Sequence, residues 1–317
     1  MKSTIKVRYL TPKKVSPLRY PGGKSILTDF LARFTSWNGL KDTIYIEPYA
    51  GGAGAALNLL FYDKVKQIVI NDANIAIFSF WNSLINHSEA FLKKFDSINP
   101  TLREWKKQKT IFEKHKNDKT ASTELGFATF FLNRTNRSGI LSATPIGGKT
   151  QKKQLASKYT IKARYNKKDL RKRLCGVISF KERIKVSNED ALALLKKFSR
   201  SSRNMQQKTL IYLDPPYYVN GKKLYMDFYN NDDHRALASF LEKSKMRCKW
   251  LLSYDNVVAI KKLYRKSEQY FFTLRYSAST ARKGKELLMH SNNSIILEKF
   301  IFKKGKKKKI FLKKIKT

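Results

Sequence analysis

Asp214-Pro215-Pro216-Tyr217 closes an apolar run at residues 210–213 and brings three chemical properties together. The aspartate accepts N–H bonds, the successive prolines stiffen the backbone and remove two N–H donors, and the tyrosine offers an aromatic face. Carbonyls ahead of the prolines can then face a ligand instead of a neighbouring strand. Such a group suits a planar base held by its amino group, the oxygens accepting N–H bonds while the ring stacks. A proline-rich turn after a strand is the competing reading of the same residues.

Two more carboxylates occupy comparable places. Glu47 opens EPYAGGAG after residues 43–46, and Gly51, Gly52 and Gly54 permit a tight strand-to-helix turn that a ligand can approach closely. The spacing is not GxGxxG, so a dinucleotide fingerprint fits poorly. Asp72 follows residues 67–70 and is placed to accept from ribose hydroxyls. A glycine-rich turn or a capping aspartate is also common with no ligand at all. Upstream, RYPGGK places Lys24 on a short glycine loop without the GxxxxGK[ST] spacing of a phosphate-binding loop.

The elements that must position these residues follow from patterning. Apolar runs at 43–46, 67–70, 210–213 and 250–252 end at a carboxylate or turn and predict buried parallel strands. Helical patterns follow at 53–61, at 191–198 after a weaker strand at 184–186, and at 234–243, where Asn231, Asp232 and Asp233 are N-cap material. This alternation predicts an α/β doubly wound sheet, with ligands at the carboxyl ends of its strands. Residues 270–274 and 294–302, around a polar stretch at 277–293, predict an antiparallel hairpin closing the sheet.

Between residues 75 and 176 the alternation lapses and the chain becomes rich in Lys, Asn and Thr, which predicts an inserted domain with its own small helical core. Its most irregular part is 133–153, where Gly139, Pro145, Gly147 and Gly148 argue for a loop or hairpin. Residues 1–74 and 177–302 would then form the main domain, and 303–317 a solvated basic tail.

Composition narrows the partners. Among 317 residues, 66 Lys and Arg against 24 Asp and Glu give a formal charge of +42. A field of that size favours polyanions, although a lysine-rich composition can arise without function. Cys175 and Cys248 are the only cysteines, in neither a disulfide framework nor a zinc spacing, which fits a reducing cytoplasm. No window approaches the roughly 18 apolar residues of a spanning helix, and the N-terminus lacks a signal-peptide core, so a cytoplasmic location is expected.

Taken in order, RYPGGKSIL, EPYAGGAG, Asn71-Asp72, LNRTNRSGI, NEDA around Asp190 and DPPYY resemble the DNA adenine N6-methyltransferase family, the D12 class that includes the Dam-type enzymes. The resemblance runs from residue 18 to about 302. DPPY alone is shared with cytosine N4 and some protein methyltransferases; PGGK upstream and an insertion before DPPY narrow it to the adenine family.

That resemblance implies a Rossmann-like class I methyltransferase sheet with an inserted, mainly helical target-recognition domain. It also implies S-adenosylmethionine as cofactor and double-stranded DNA as partner. Tyr20, Gly22, Gly23 and Lys24 would contact the methionine part of the cofactor. Glu47, Pro48, Gly51, Gly54 and Asp214 would line the same pocket, and Asp72 would hold the ribose. Asp190 would reach the cofactor adenine, or serve equally as a helix N-cap. Asp214 and the Pro215 carbonyl would receive the target N6 hydrogens, with Pro216 stiffening the loop and Tyr217 stacked on a flipped base. Phe228 and Tyr229 are candidates for a cover over that base, or for core packing.

Sequence readout is expected from Asn133, Arg134, Asn136 and Arg137, whose groups match base edges, with phosphate contact as the other use. Arg282, Lys283 and Lys285, in a loop at 277–285, would contact the DNA backbone. Only the start of the recognition segment resembles the Dam-type enzymes, so GATC specificity is unsupported. A cognate restriction endonuclease is a further class of partner left open.

Three other readings stay in view: a cytosine N4 or RNA adenine methyltransferase, a catalytically silent DNA-binding subunit, and a metal-dependent nuclease. The last lacks a ligand cluster in the sequence, since His87, His115, His234 and His290 are isolated.

Overall fold

The structure is a computed structural model and describes residues 10–20, 22–218, 229–244, 246–276, 282–296, 301–304, 308–311 and 313–315. Its main sheet contains β1 (Ile44–Glu47), β2 (Gln67–Asn71), β3 (Ile184–Ser187), β4 (Thr209–Leu213), β5 (Lys249–Asp255), β6 (Gln269–Tyr276) and β7 (Arg282–His290). Farther on lie β8 (Ile301–Lys304), β9 (Lys308–Phe311) and the two-residue β10 (Lys313–Lys314). The sheet order is β10-β6-β7-β5-β4-β1-β2-β3. β3, β2, β1, β4 and β5 run parallel; β7 is antiparallel to β5, and β6 to β7.

This is a Rossmann-like arrangement, and the strand sequences show why it forms. A parallel strand covered on both faces must be apolar throughout, and all five residues of β4 are buried. Order reverses at β1, which pairs with β2 on one side and β4 on the other, so a crevice opens beyond the carboxyl ends of β1 and β4. Glu47 ends the first of these strands and Asp214 follows the second.

Capping residues place the helix starts. Asn74 accepts from the amides of Ala76 and Ile77 to begin helix Ile75–Asn86, and Ser122 caps Thr123–Thr135 through the Leu125 amide. Each such cap contributes about 1 kcal/mol. Asn230 and Asp233 form a reciprocal capping box, so that helix starts at Asn231, three residues earlier than its apolar pattern suggests.

Six α-helices lie between β2 and β3. Helix Thr123–Thr135 packs on Ile75–Asn86, where Gly126 lets the backbones approach: a Cβ there would stand 2.4 Å from the Ser79 carbonyl oxygen. Phe80 and Phe130 stack across this seam with ring centroids 5.8 Å apart. These side chains belong to one buried cluster with Leu57, Ile68 and Leu210, so helices and sheet share a continuous core.

The C-terminal region departs from expectation. The partner of β6 is β7, inside the stretch read as polar, and Leu287, Leu288 and Met289 are its buried apolar part. That run is short and flanked by charge, which hides its pattern. Residues 291–296 instead follow β7 as a turn closed by the Ser294 amide on the Ser291 carbonyl, and residues 297–300 lie outside the described set. Nor is the basic tail wholly unstructured: β8 pairs with β9, and β10 adds to β6 at the sheet edge, where lysines on an edge strand discourage further pairing.

Candidate active site

Lys24 sits at the centre of a buried polar cluster. It is 5% exposed, and its Nζ lies 2.8 Å from Asp214 Oδ1 and 2.9 Å from Oδ2. The same ammonium donates to the Tyr217 hydroxyl at 3.1 Å and to the Gly22 carbonyl at 3.2 Å, and stands 3.6 Å from Glu286 Oε1. Tyr217 in turn donates to Glu286 Oε1 at 2.7 Å. On the other side of Asp214, Ser253 donates to Oδ1 at 2.7 Å. Its single proton is then committed, so the Tyr212 hydroxyl, 2.7 Å away, donates to Ser253. Side chains from β4, β5 and β7 and from the RYPGGK loop thus gather around one carboxylate.

The electrostatics follow from burial. Burial alone would favour neutral Lys24, but Asp214 and then Glu286 reverse this and hold its ammonium protonated well above the usual lysine range. Burial raises the Glu286 carboxyl to about 7, against the opposing pull of Lys24. At Glu47, burial outweighs the hydrogen bonds from Tyr45 and the Ala56 amide, and its carboxyl rises to about 8.

The glycine turn after β1 is folded against the same loop. Gly51 has φ +48°, and a Cβ on it would lie 2.6 Å from the Tyr20 ring, so Tyr20 covers the turn closely. Asp72 accepts from the Gly51 amide at 2.8 Å and from the Asn74 amide at 3.0 Å. Buried Asn71 ties the strand ends together: its side-chain NH2 donates to the Pro48 and Glu189 carbonyls, and its oxygen accepts from the Ser187 hydroxyl and the Glu189 amide. Gly54 begins the helix after the turn, and Gly23 closes a turn on the Tyr20 carbonyl. Asp190 is exposed and N-caps helix Ala191–Ser199 by accepting from the Ala193 amide.

The profile of the D12 class N6 adenine-specific DNA methyltransferases matches residues 20–278, most of the chain. The chain belongs to that family. It is an S-adenosylmethionine-dependent methyltransferase. No curated protein matches it significantly. Among solved structures, it is similar to a proposed RNA methyltransferase from Pyrococcus horikoshii, at 9% identity over 90% of this chain and 91% of the other, with TM-score 0.39. An rRNA methyltransferase from Streptomyces viridochromogenes gives 11% identity over 86% of each chain and TM-score 0.32.

Within this D12 methyltransferase, three of the residues assigned to base readout have other work. Asn133 is buried; it accepts from the Arg19 amide and donates to the Arg19 and Gly139 carbonyls. Asn136, also buried, accepts from the Trp105 indole at 2.7 Å and donates to the Ile140 and Leu141 carbonyls. Arg134 is 7% exposed and donates to the Arg164 carbonyl. These side chains are turned to the protein's own backbone and to the Trp105 indole; their planar donors and acceptors match backbone amides as well as bases. Arg137 does face outward, into a cavity that it lines with Arg19 and Arg164.

Arg282, Lys283 and Lys285 lie on β7, not in a loop, with the Lys285 side chain exposed. Tyr229 bonds to the Tyr49 hydroxyl at 2.6 Å and packs edge-on to Tyr49 and His234, and Phe228 falls outside the described residues.

Two residues that the sequence did not single out complete the polar cluster, Ser253 through Asp214 and Glu286 through Tyr217. Ser253 ends an apolar run and could have been found there. Glu286 stands beside the run Leu287–Met289 with no motif around it, and only the register of β7 against β5, where it faces Asp255, brings it to the site. Among the described residues, no group of three or more His, Cys, Asp or Glu is arranged to hold a metal ion, and no helix is long and apolar enough to cross a membrane.

Proposed function

We propose that this methyltransferase transfers a methyl group to the N6 amine of adenine in double-stranded DNA, with the target base turned out of the duplex. The observation that carries this reading is Asp214, bound by Ser253 and Lys24 at the end of β4 and followed by two prolines and an aromatic ring.

The cofactor pocket proposed here fits the chemistry of its lining. Glu47, Asp72 and Asp214, three of the scarce acidic side chains in a chain of charge +42, lie at the ends of adjacent strands, where Asp214 suits a sulfonium cation, Asp72 suits ribose hydroxyls, and Glu47, its carboxyl raised to about 8 by burial, lines the pocket beside them. Tyr20, Gly22, Gly23, Pro48, Gly51 and Gly54 would complete that pocket, with Lys24 serving chiefly Asp214. Asp190 serves its helix cap. S-adenosylmethionine supplies an activated methyl group on a sulfonium.

The residues of the chain do the rest. The adenine amine is a weak nucleophile because its lone pair is drawn into the ring. Asp214 and the Pro215 carbonyl accept its two hydrogens, favour pyramidal nitrogen and stabilise the positive charge that develops there. Tyr217 provides the stacking face, and Glu286 holds its hydroxyl. An amine buried in a stacked duplex cannot reach Asp214, so the base must flip.

A basic cavity of ≈ 300 Å³ supports a nucleic-acid acceptor. Arg19, Arg137 and Arg164 line it with Tyr159 and Ser138, and the Arg19 guanidinium is pushed below its usual range by burial and then by repulsion from Arg164. Phosphate oxygens would relieve that repulsion.

The test is to supply methyl-labelled cofactor with duplex DNA or RNA and identify the labelled nucleoside. N6-methyldeoxyadenosine supports the reading; N4-methyldeoxycytidine or label confined to RNA contradicts it.

A further inference from the structure

Glu286 is buried, 1% exposed, and lies on β7 opposite Asp255 of β5 and Phe272 of β6. Its Oε1 accepts from Tyr217, while its Oε2 is buried with no hydrogen-bond partner. An unmatched buried carboxylate oxygen is costly, and a role for it follows from its neighbour. Lys24 engages both oxygens of Asp214, the acceptor an incoming amine needs, and stands 3.6 Å from the Oε1 of Glu286, on the same carboxylate as the unpartnered Oε2. A small shift would bring that ammonium to an ordinary charge-assisted distance, about 2.8 Å, from Glu286.

We propose that Glu286 is a positioning residue for methyl transfer: it receives the Lys24 ammonium when the target amine takes up Asp214, and it anchors the Tyr217 ring throughout. The proposal rests on the reading of Asp214 as the amine acceptor. Two carboxylates then share one cation in alternation, so the site never holds Lys24 buried and unpaired. Glu286 must be ionised for this. The groups facing it are Lys24, Tyr217 and Asp214, with Asp255 its neighbour on β5 and Tyr212 within electrostatic reach. Its elevated titration near 7 places the ionisation in an accessible pH range.

The experiment measures single-turnover methylation of duplex DNA against pH, for the wild type, Glu286→Gln, Glu286→Asp, Lys24→Met and the Glu286→Gln/Lys24→Met pair. The wild-type rate alone tests the DNA adenine reading. Given that rate, Glu286→Gln is expected to be slower by about 10- to 100-fold, the scale of one charge-assisted hydrogen bond. Glu286→Asp should recover part of the loss. The wild-type rate should climb through about pH 7, and this limb should be absent in Glu286→Gln. In the Lys24→Met background the glutamine change should cost little more, because the two residues act together. A Glu286→Gln rate within about twofold of wild type, an unchanged limb, or additive losses would overturn the proposal. Should Glu286→Gln fail to fold, Glu286→Asp decides it: an unaltered rate and pH limb would equally overturn it.

Discussion

Buried Lys24 and half-buried Asp214, 190 residues apart in sequence, form an ion pair at 2.8 Å that fastens the N-terminal glycine loop to the end of β4. Removing the cation would leave buried Glu286 and half-buried Asp214 without their shared partner. Lys24→Met is therefore expected to lower stability by about 3 kcal/mol, the range for breaking one side of a buried pair. Chemical denaturation of both proteins at pH 8 checks this. An unchanged midpoint would show that the pair does not brace the fold.

Glu47 links stability to pH. Its folded carboxyl titrates near 8 instead of 4.5, so its contribution is fully present below about 4.5 and is lost as pH rises through 8. Glu47→Gln removes that dependence. Between pH 5 and 8 the stability of the wild type should fall relative to the variant, at up to about 1.4 kcal/mol per pH unit. Denaturation curves at several pH values would reveal parallel behaviour if Glu47 were ordinarily ionised.

Asn136 should behave as a structural residue. It meets the Trp105 indole and two backbone carbonyls in a buried setting, so Asn136→Ala is expected to cost about 2–3 kcal/mol of stability. The variant's preference among DNA sequences should remain that of the wild type. Competition binding with scrambled duplexes, beside a melting curve, separates these effects; relaxed specificity at wild-type stability would restore Asn136 to the bases.

Arg137 and Arg164 carry the opposite expectation. Both line the basic cavity, so replacing either with Ala should leave the fold intact and weaken DNA binding at all sequences. The slope of log affinity against log salt should flatten by about 0.9 for each phosphate that is no longer neutralised. Fluorescence anisotropy over a series of salt concentrations measures it, and an unaltered slope would place the DNA elsewhere.

Much of this architecture is legible in the sequence because parallel strands are apolar runs with abrupt ends. β1, β2, β4 and β5 declare themselves that way, and with them the positions of Glu47, Asp72 and Asp214. The roles of polar side chains are harder to read. Asn133, Arg134 and Asn136 carry the same groups whether they face a base or a carbonyl, and only burial distinguishes the two uses. Glu286 reaches the site by strand register, a long-range relationship that no local spacing records. Lys24 shows the same limit, since its glycine loop suggests the cofactor while its ammonium lies on Asp214.

Asp214 is proposed to hold an adenine amine of DNA for methylation. The most direct test is to express the protein in a host devoid of DNA methylation and map N6-methyladenine across the genome by single-molecule sequencing, beside Asp214→Ala. Losing this acceptor should slow turnover at least about 100-fold. The expected result is N6-methyladenine at one short sequence, present with the wild type and absent with the folded variant. A folded wild-type protein that leaves no such mark, or a mark that survives in Asp214→Ala, would contradict it.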